Sequence, residues 1–331
     1  MHELLRIKNL HTSFKISGNF YAAVDGVDLN IYTNEVFALV GESGCGKSAL
    51  ALSLVRLHNP NYTRITGTVE FNGEDLLALS DQQLNRIRGR HIGMIFQDPL
   101  TALNPLIKVG AQIEESLAYH TDLDTAAKTE RAIELLEGVG IHNPALTYSQ
   151  LPHELSGGMR QRAMIAIALA CKPALIIADE PTTALDVTIQ AQILDLLRKL
   201  QSETQSSVLL ITHDLGVVAE MADRVGVMYA GQIVELAPAQ ELFTNPRNPY
   251  TRSLLASIPG MNDRLHVIQG IVPELQFLPR TGCRFSRRTP WIDESQHEQT
   301  PAFHEVTAGH FVLCSCYTHF YFEGDVPHAS P

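Results

Sequence analysis

The chain has 331 residues, of which 45% are hydrophobic, 18% charged and 7% aromatic, the profile of a folded globular protein, and this excludes disorder or fibre for its bulk. Length alone allows one to three domains. With 25 Lys and Arg against 36 Asp and Glu the net charge is −11, so no general affinity for nucleic acid follows, because such binding depends on neutralising phosphates with basic side chains.

The first ten residues, MHELLRIKNL, hold no apolar core of a secretory leader. The longest apolar stretch, Ala163–Cys171, falls far short of the roughly 18 residues a membrane span needs. The five cysteines, Cys45, Cys171, Cys283, Cys314 and Cys316, are odd in number and scattered, which gives the expectation of a reducing compartment rather than a disulfide framework.

Short apolar runs alternate with helical patterns, the signature of a parallel sheet with crossover helices and so of an α/β fold. Val36–Val40 is an apolar run that stops at Gly41, and a helical stretch follows over Ser48–Val55. Ile92–Phe96, Ala174–Ala178 and Val208–Thr212 are similar, as strands covered on both faces should be. Between Gln97 and Leu155 the strand signal fades, and Ile113–His120 and Thr129–Val139 predict helices inserted into the sheet domain. Thr188–Gln201 predicts an amphipathic helix with Ile189, Ile193, Leu196, Leu197 and Leu200 on one stripe. Beyond about Ala239 the texture changes, and Pro273–Pro331, rich in Pro, His, Arg and Cys, predicts a separate, loop-rich tail.

Gly41-Glu42-Ser43-Gly44-Cys45-Gly46-Lys47-Ser48 fits the phosphate-loop pattern G-x-x-x-x-G-K-[ST], between a strand and a helix as that pattern requires. Its glycines let backbone N–H groups turn toward phosphate oxygens, and the helix start at Ser48 and Ala49 adds partial positive charge. Lys47 would reach the β- and γ-phosphates, and the Ser48 hydroxyl would ligate Mg²⁺. Cys45 reads as a small residue filling a tight turn; the rival reading is a thiol whose labelling blocks ATP binding. Leu175–Glu180 is a buried strand ending in two carboxylates: Asp179 would hold Mg²⁺ and Glu180 would polarise the attacking water as general base.

Leu155-Ser156-Gly157-Gly158-Met159, followed by Arg160-Gln161-Arg162 and the strand into Asp179-Glu180, resembles the ATP-binding cassette (ABC) ATPases, whose signature is LSGGQ. Other cassette elements occur in order. Gln97 stands at the Q-loop position, Ala184-Leu185-Asp186 after Thr183 resembles the D-loop, His213 the switch histidine, and Phe14 the aromatic that stacks on adenine. The resemblance implies a P-loop NTPase fold with a RecA-like sheet core, an ABC-type antiparallel β region and a helical subdomain at about residues 98–165, an ATPase domain over 1–240 and an extension over 241–331. It implies ATP and Mg²⁺, with Ser48, Gln97 and Asp179 around the metal ion and His213 on the γ-phosphate beside Glu180. Leu155–Met159 would act in trans, on the nucleotide of a second subunit. In two departures, Met159 replaces the usual glutamine, and Asn34-Glu35 stands where Gly-Glu is frequent, a turn that Asn can also make.

The tail narrows the resemblance. Asn245–Leu255 is similar to the N-P-x-H-P-Y-T-x-x-L-L stretch of the peptide/nickel importer ATPases, as are Pro99–Pro105 and Pro152–Arg162, most closely in the D-type ATPase subunits of oligopeptide permeases. That implies two transmembrane permease subunits, a second related ATPase subunit in a heterodimer, an extracytoplasmic peptide-binding protein, no nucleic acid, and a place on the cytoplasmic face of the bacterial plasma membrane. Nickel or another small solute is the rival cargo. Cassette ATPases of DNA repair or the ribosome are disfavoured by the single cassette and the lack of sustained heptads. The resemblance also implies a cysteine-rich tail able to hold an iron–sulfur cluster, but Thr289 and Gln296 stand at two of the four expected cysteine positions. The expectation is therefore no iron–sulfur cluster and no structural metal. Cys283, Cys314 and Cys316 remain weak candidates, with His304, His310 or His319 near enough in sequence to complete a set.

Overall fold

The computed structural model describes residues 2–183, 186–257, 268 and 270–322. In chain order the first elements are strands β1 (Glu3–Ile16), β2 (Asn19–Tyr32) and β3 (Val36–Val40), helix α1 (Lys47–Leu54), strands β4 (Thr63–Phe71) and β5 (Glu74–Asp75), helix α2 (Asp81–Ile87) and strand β6 (Ile92–Ile95). Five helices follow: α3 (Pro99–Ala102), α4 (Val109–His120), α5 (Thr125–Gly138), α6 (Pro144–Ser149) and α7 (Gly157–Leu169). Then come β7 (Leu175–Asp179), α8 (Val187–Thr204), β8 (Ser207–Ile211), α9 (Leu215–Met221), β9 (Arg224–Tyr229), β10 (Gln232–Pro238), α10 (Ala239–Thr244), α11 (Pro249–Ala256), β11 (Phe303–Thr307) and β12 (His310–Leu313). By contact the chain divides into two compact units. The first comprises Met1–Leu5, Asn30–Val36 and Glu70–Thr212; the second comprises Arg6–Leu29, Phe37–Val69 and His213–Pro331.

In the first unit β6, β7 and β8 run parallel, Ile92 opposite Leu175 and Leu175 opposite Ser207. Every residue of β7 and β8 is buried, which is why these segments read as unbroken apolar runs rather than alternating ones. The α3–α7 insertion forms where the strand signal faded. Three of its helices start where a side chain satisfies a bare N–H: Asp124 accepts from Ala127, Asn143 from Leu146 and Ser156 from Met159. Ile113, Ala132 and Leu136 are fully buried and fix the helical faces. Asn34 takes φ 62, the left-handed conformation that asparagine tolerates best after glycine, and the Glu35 carboxylate accepts from the Tyr32 N–H at 2.7 Å.

In the second unit the strand order is β11-β12-β10-β9-β3, with only β3 and β9 parallel. β1 lies between β2 and β4 in the antiparallel region. The stretch that composition marks as a loop-rich tail is part of this unit. Residues 270–302 are indeed loops and single 3₁₀ turns, but α10, α11, β11 and β12 flank them. Those strands are four and five residues long and carry His, Glu and Thr, so their apolar signal is too brief to read from sequence. The seam is polar and specific. Glu235 of β10, fully buried, accepts from the N–H groups of Arg247 and Asn248 at 2.7 and 3.0 Å and meets His310 Nε2 at 2.7 Å. Asn248, the N-cap of α11, also donates to the carbonyls of Val234 and Leu313 at 3.3 and 3.1 Å. Tyr229, Tyr250 and Phe285 pack as an aromatic trio with centroids 4.6–5.4 Å apart, contacts worth about 0.5–1.5 kcal/mol per pair beyond their burial.

Candidate active site

In the second unit the loop Gly41–Ser48 turns between β3 and α1. Gly41 and Gly46 have φ 153 and 113, and a Cβ on them would lie 2.2 Å from the Met228 carbonyl oxygen and 2.5 Å from that of Ala23. Only glycine fits both positions, so the backbone is pressed into a cradle whose N–H groups can face an anion. Around Gly44 nothing lies within 4 Å of a Cβ, so the mouth of the loop is open. Lys47 is buried, and its Nζ donates to the carbonyls of Gly41 and Glu42 at 2.7 and 3.0 Å, which holds the ammonium inside the loop. The cradle thus fits a polyphosphate. Cys45 is 1% exposed and burial pushes its thiol up, so it packs the turn and offers little thiolate to a reagent.

Phe14, half-buried on β1, meets His58 edge-on at 5.1 Å between centroids. His58 Nε2 is 2.9 Å from the carbonyl of Ala49, and Thr12 Oγ1 is 2.7 Å from Ser53 Oγ. The aromatic strand is therefore tied to the helix that leaves the loop. A cavity of about 380 Å³ opens beside them, lined by Ile16, Ser43, Gly44 and Val272–Gln276. His213 is exposed at the end of its strand-to-helix turn.

The C-terminal extension grips the loop at Glu42, through two residues that the site reading from sequence did not include. Arg288 Nη1 and Nη2 donate to the two Glu42 carboxylate oxygens at 2.6 and 3.1 Å, and the Glu42 N–H donates to the Tyr250 hydroxyl at 2.8 Å. Burial raises the Tyr250 phenol, so it stays protonated. Tyr250 sits in the Asn245–Leu255 stretch, a signal that could have found it; Arg288 meets its partner across 246 positions, so no local spacing points to Glu42. One turn earlier Arg284 pairs with Asp25 and donates to the Ala230 carbonyl.

In the first unit Glu180 follows β7 with φ 45, a left-handed conformation sparsely used by non-glycine residues and common at functional sites. Its N–H donates to the Ile211 carbonyl at 2.8 Å, and its Oε2 accepts from Gln97 Nε2 at 3.0 Å and Thr183 Oγ1 at 2.7 Å. The geometry aims one carboxylate oxygen by two neutral donors. Asp179, one residue earlier, is 5% exposed. Ser156 and Gly157 are exposed at the start of α7, where Ser156 Oγ accepts from the Met159 N–H at 3.3 Å. Leu155 is buried beneath them. Further along α7, Gln161 Nε2 donates to the Pro181 carbonyl at 2.6 Å, which couples the signature helix to the turn after Glu180. Asp186 caps α8 by accepting from the Ile189 N–H at 2.9 Å; its neighbours Ala184 and Leu185 lie outside the described residues. Among the described residues no helix is long and apolar enough to cross a membrane.

Comparison with known proteins follows the same order along the chain. Residues 24–183 match the family described as ABC transporter, and residues 234–294 match the oligopeptide/dipeptide transporter C-terminal region. The oligopeptide transport ATP-binding protein OppD of Lactococcus lactis subsp. cremoris is 51% identical over 323 residues, 96% of each chain. OppD of Bacillus subtilis is 49% identical, covering 93% of this chain and 87% of its own, and the dipeptide transport ATP-binding protein DppD of the same organism is 49% identical over 88% of both. Among solved structures, the dimeric ATP-binding cassette MJ0796 in a post-hydrolysis state bound to ADP and Pi superposes with a TM-score of 0.64 at 30% identity, covering 71% of this chain and 99% of that one.

Proposed function

The chain belongs to the ABC transporter family, and from that premise we propose that it is the ATP-hydrolysing subunit of an importer of oligopeptides or dipeptides. The observation that carries the reading is the end-to-end match to ATP-binding proteins of oligopeptide and dipeptide transport, which includes the extension that grips the phosphate loop. The ATPase domain is assigned to residues 1–240, with the helical part at about 98–165, and the extension to 241–331.

The residues divide the work. Phe14 offers its ring to the adenine. The N–H groups of Gly41–Ala49 and the Lys47 ammonium hold the phosphates, Lys47 exchanging its carbonyl acceptors for phosphate oxygens. Ser48, Gln97 and Asp179 are the residues that would hold Mg²⁺, which would supply neutralisation of charge on the phosphates. Glu180, oriented by Gln97 and Thr183, takes the proton from the attacking water, and His213 stabilises the γ-phosphate. Leu155–Met159 close on the nucleotide of a second, related subunit, and Ala184–Asp186 follow at that interface. This chain and a related ATPase subunit sit under two transmembrane permease subunits, and the helical insertion contacts the permease. Leu100, Leu106 and Ile107, which follow Gln97, are exposed there, Leu106 at 87%, as a surface made to be covered would be. An extracytoplasmic binding protein delivers the peptide, and this chain works on the cytoplasmic face without nucleic acid.

The test is uptake of a labelled oligopeptide by cells carrying the wild-type chain or Glu180→Gln, with a free amino acid as control. Loss of peptide uptake alone is the expected result. Unchanged uptake in cells lacking another peptide importer would move the cargo to nickel or another small solute.

A further inference from the structure

Four donor side chains of the extension that take no part in the nucleotide site converge on one another. One ligand atom each from Cys283, His297, Cys314 and Cys316 all lie within 4.8 Å of one another. Cys314 and Cys316 are 1% exposed and His297 is 7% exposed. Both ring nitrogens of His297 are buried and meet no oxygen or nitrogen partner; the groups that face the ring are the sulfurs of Cys283 and Cys314, a weakly satisfied state for an imidazole unless something else takes its lone pair. The surroundings hold the sulfurs in place. The Glu298 N–H donates to Cys314 Sγ at 3.5 Å, and the Cys314 N–H donates to the Ala302 carbonyl at 3.0 Å. The Glu298 carboxylate accepts from the Ser315 N–H at 2.8 Å, which fixes the turn between the two cysteines. Cys314 itself has φ 71, an uncommon conformation for a residue with a Cβ. The histidines nearest in sequence are used elsewhere: His304 pairs with Glu298 and His310 with Glu235, while His319 is exposed.

We propose that Cys283, His297, Cys314 and Cys316 bind one zinc ion as a closed tetrahedral structural site. Zn–S bonds of about 2.3 Å and Zn–N bonds of about 2.0–2.1 Å put neighbouring donors roughly 3.5–4 Å apart around a single ion, so the four need only a small contraction. A four-iron cluster does not fit. It takes four thiolates, each on its own iron, and so spreads its ligands over a cube rather than about a point. Here one of the two lost cysteine positions is Thr289, whose hydroxyl donates to the Ser286 carbonyl at 3.2 Å, and the other is the amide of Gln296. His297, next to Gln296, and Cys316, two beyond Cys314, restore four donors for a smaller guest. Three soft thiolates with an imidazole select zinc, and a full protein ligand set leaves no position for water, the pattern of a structural rather than a catalytic ion. On binding, the three thiols release their protons and His297 coordinates as the neutral ring. Three of the four ligands, His297, Cys314 and Cys316, lie beyond the residue at which the matched C-terminal region ends. The ion would tie three separate stretches together and fix the segment bearing Arg284 and Arg288.

The test is the metal content of the full-length chain purified without added metal or chelator. About one zinc per chain, with iron and acid-labile sulfide absent, is expected. Cobalt exchanged for the zinc should show the intense visible bands and thiolate charge transfer of a tetrahedral site. Cys316→Ser and His297→Ala should each weaken zinc binding tenfold or more, roughly, while Cys171→Ser leaves it unchanged. A ligand variant that misfolds would lose zinc trivially, so the wild-type cobalt spectrum stands as the independent readout. Iron with equimolar sulfide, an octahedral cobalt spectrum, or a metal-free chain whose three thiols titrate freely or have joined in a disulfide would each overturn the proposal.

Discussion

Glu42 and Glu180 occupy matching places in the two units, just past the end of a buried parallel strand, yet different groups hold them. Glu42 lies beyond β3 and is clamped by both guanidinium nitrogens of Arg288, whose side chain is 6% exposed. Glu180 lies beyond β7, in a left-handed backbone, and is aimed by an amide and a hydroxyl. A bidentate cation spends both oxygens of a carboxylate on anchoring a loop. An amide and a hydroxyl orient one oxygen without a bidentate clamp. The type of residue at the strand end thus says little; its partner decides whether it builds the site or does chemistry in it.

The sharpest way to break this comparison is Glu180→Gln. Its turnover in the assembled complex should fall by about 10²–10⁴, the usual contribution of a general base, with ATP binding retained, read by phosphate release and by nucleotide binding. Loss of binding as well would show that Glu180 also builds the site. Next, Lys47→Ala should weaken ATP binding by about 10–100-fold, the size of one charged hydrogen bond, with little change in melting temperature. Arg288→Ala should cost about 1–3 kcal/mol in thermal unfolding, since it leaves a part-buried carboxylate unpaired, and should loosen ATP binding secondarily. A double-mutant cycle with Glu42→Ala should return a coupling of about 0.5–3 kcal/mol, and a value of zero would sever the extension from the loop. The smallest effect concerns acid. Burial works against the Asp25 charge, but the hydrogen bond and charge of Arg284, with His11 and Arg280, hold its pKa below the ordinary 3.8. A depressed carboxylate contributes stability above its unfolded pKa and loses it as pH falls through the folded one. Asp25→Asn should therefore flatten the lowest-pH part of the acid unfolding curve and leave neutral pH nearly unchanged in slope.

What was legible in the sequence is what is local. Val36–Val40 is a strand over those same residues, the helix expected at Thr188–Gln201 runs over Val187–Thr204, and the insertion helices lie within a few residues of their predicted spans. The phosphate-loop pattern and the strand that ends in Asp179-Glu180 are legible because each is a contiguous stretch of chain, and Leu155–Met159 is legible through its resemblance to a family signature. The unread parts depend on distant partners. Nothing near Arg288 points to Glu42, and nothing near Glu235 points to His310, 75 positions away. The fourth donor of the thiol cluster escaped for a similar reason: Cys283, Cys314 and Cys316 are candidates from sequence, but the histidine that joins them in the fold is His297 rather than His304, His310 or His319.

The buried Glu235 has a consequence for how such a chain can be recombined. Its carboxylate sits on β10, and its partners come from residues 247, 248 and 310. A hybrid that joins this cassette to another relative's extension, with a crossover near residue 240, must inherit a matching set of donors. Otherwise an anion is stranded in the interior. The strand and the segments that bear residues 247, 248 and 310 should therefore be exchanged together in engineering, and the stretch between them is a poor place to cut.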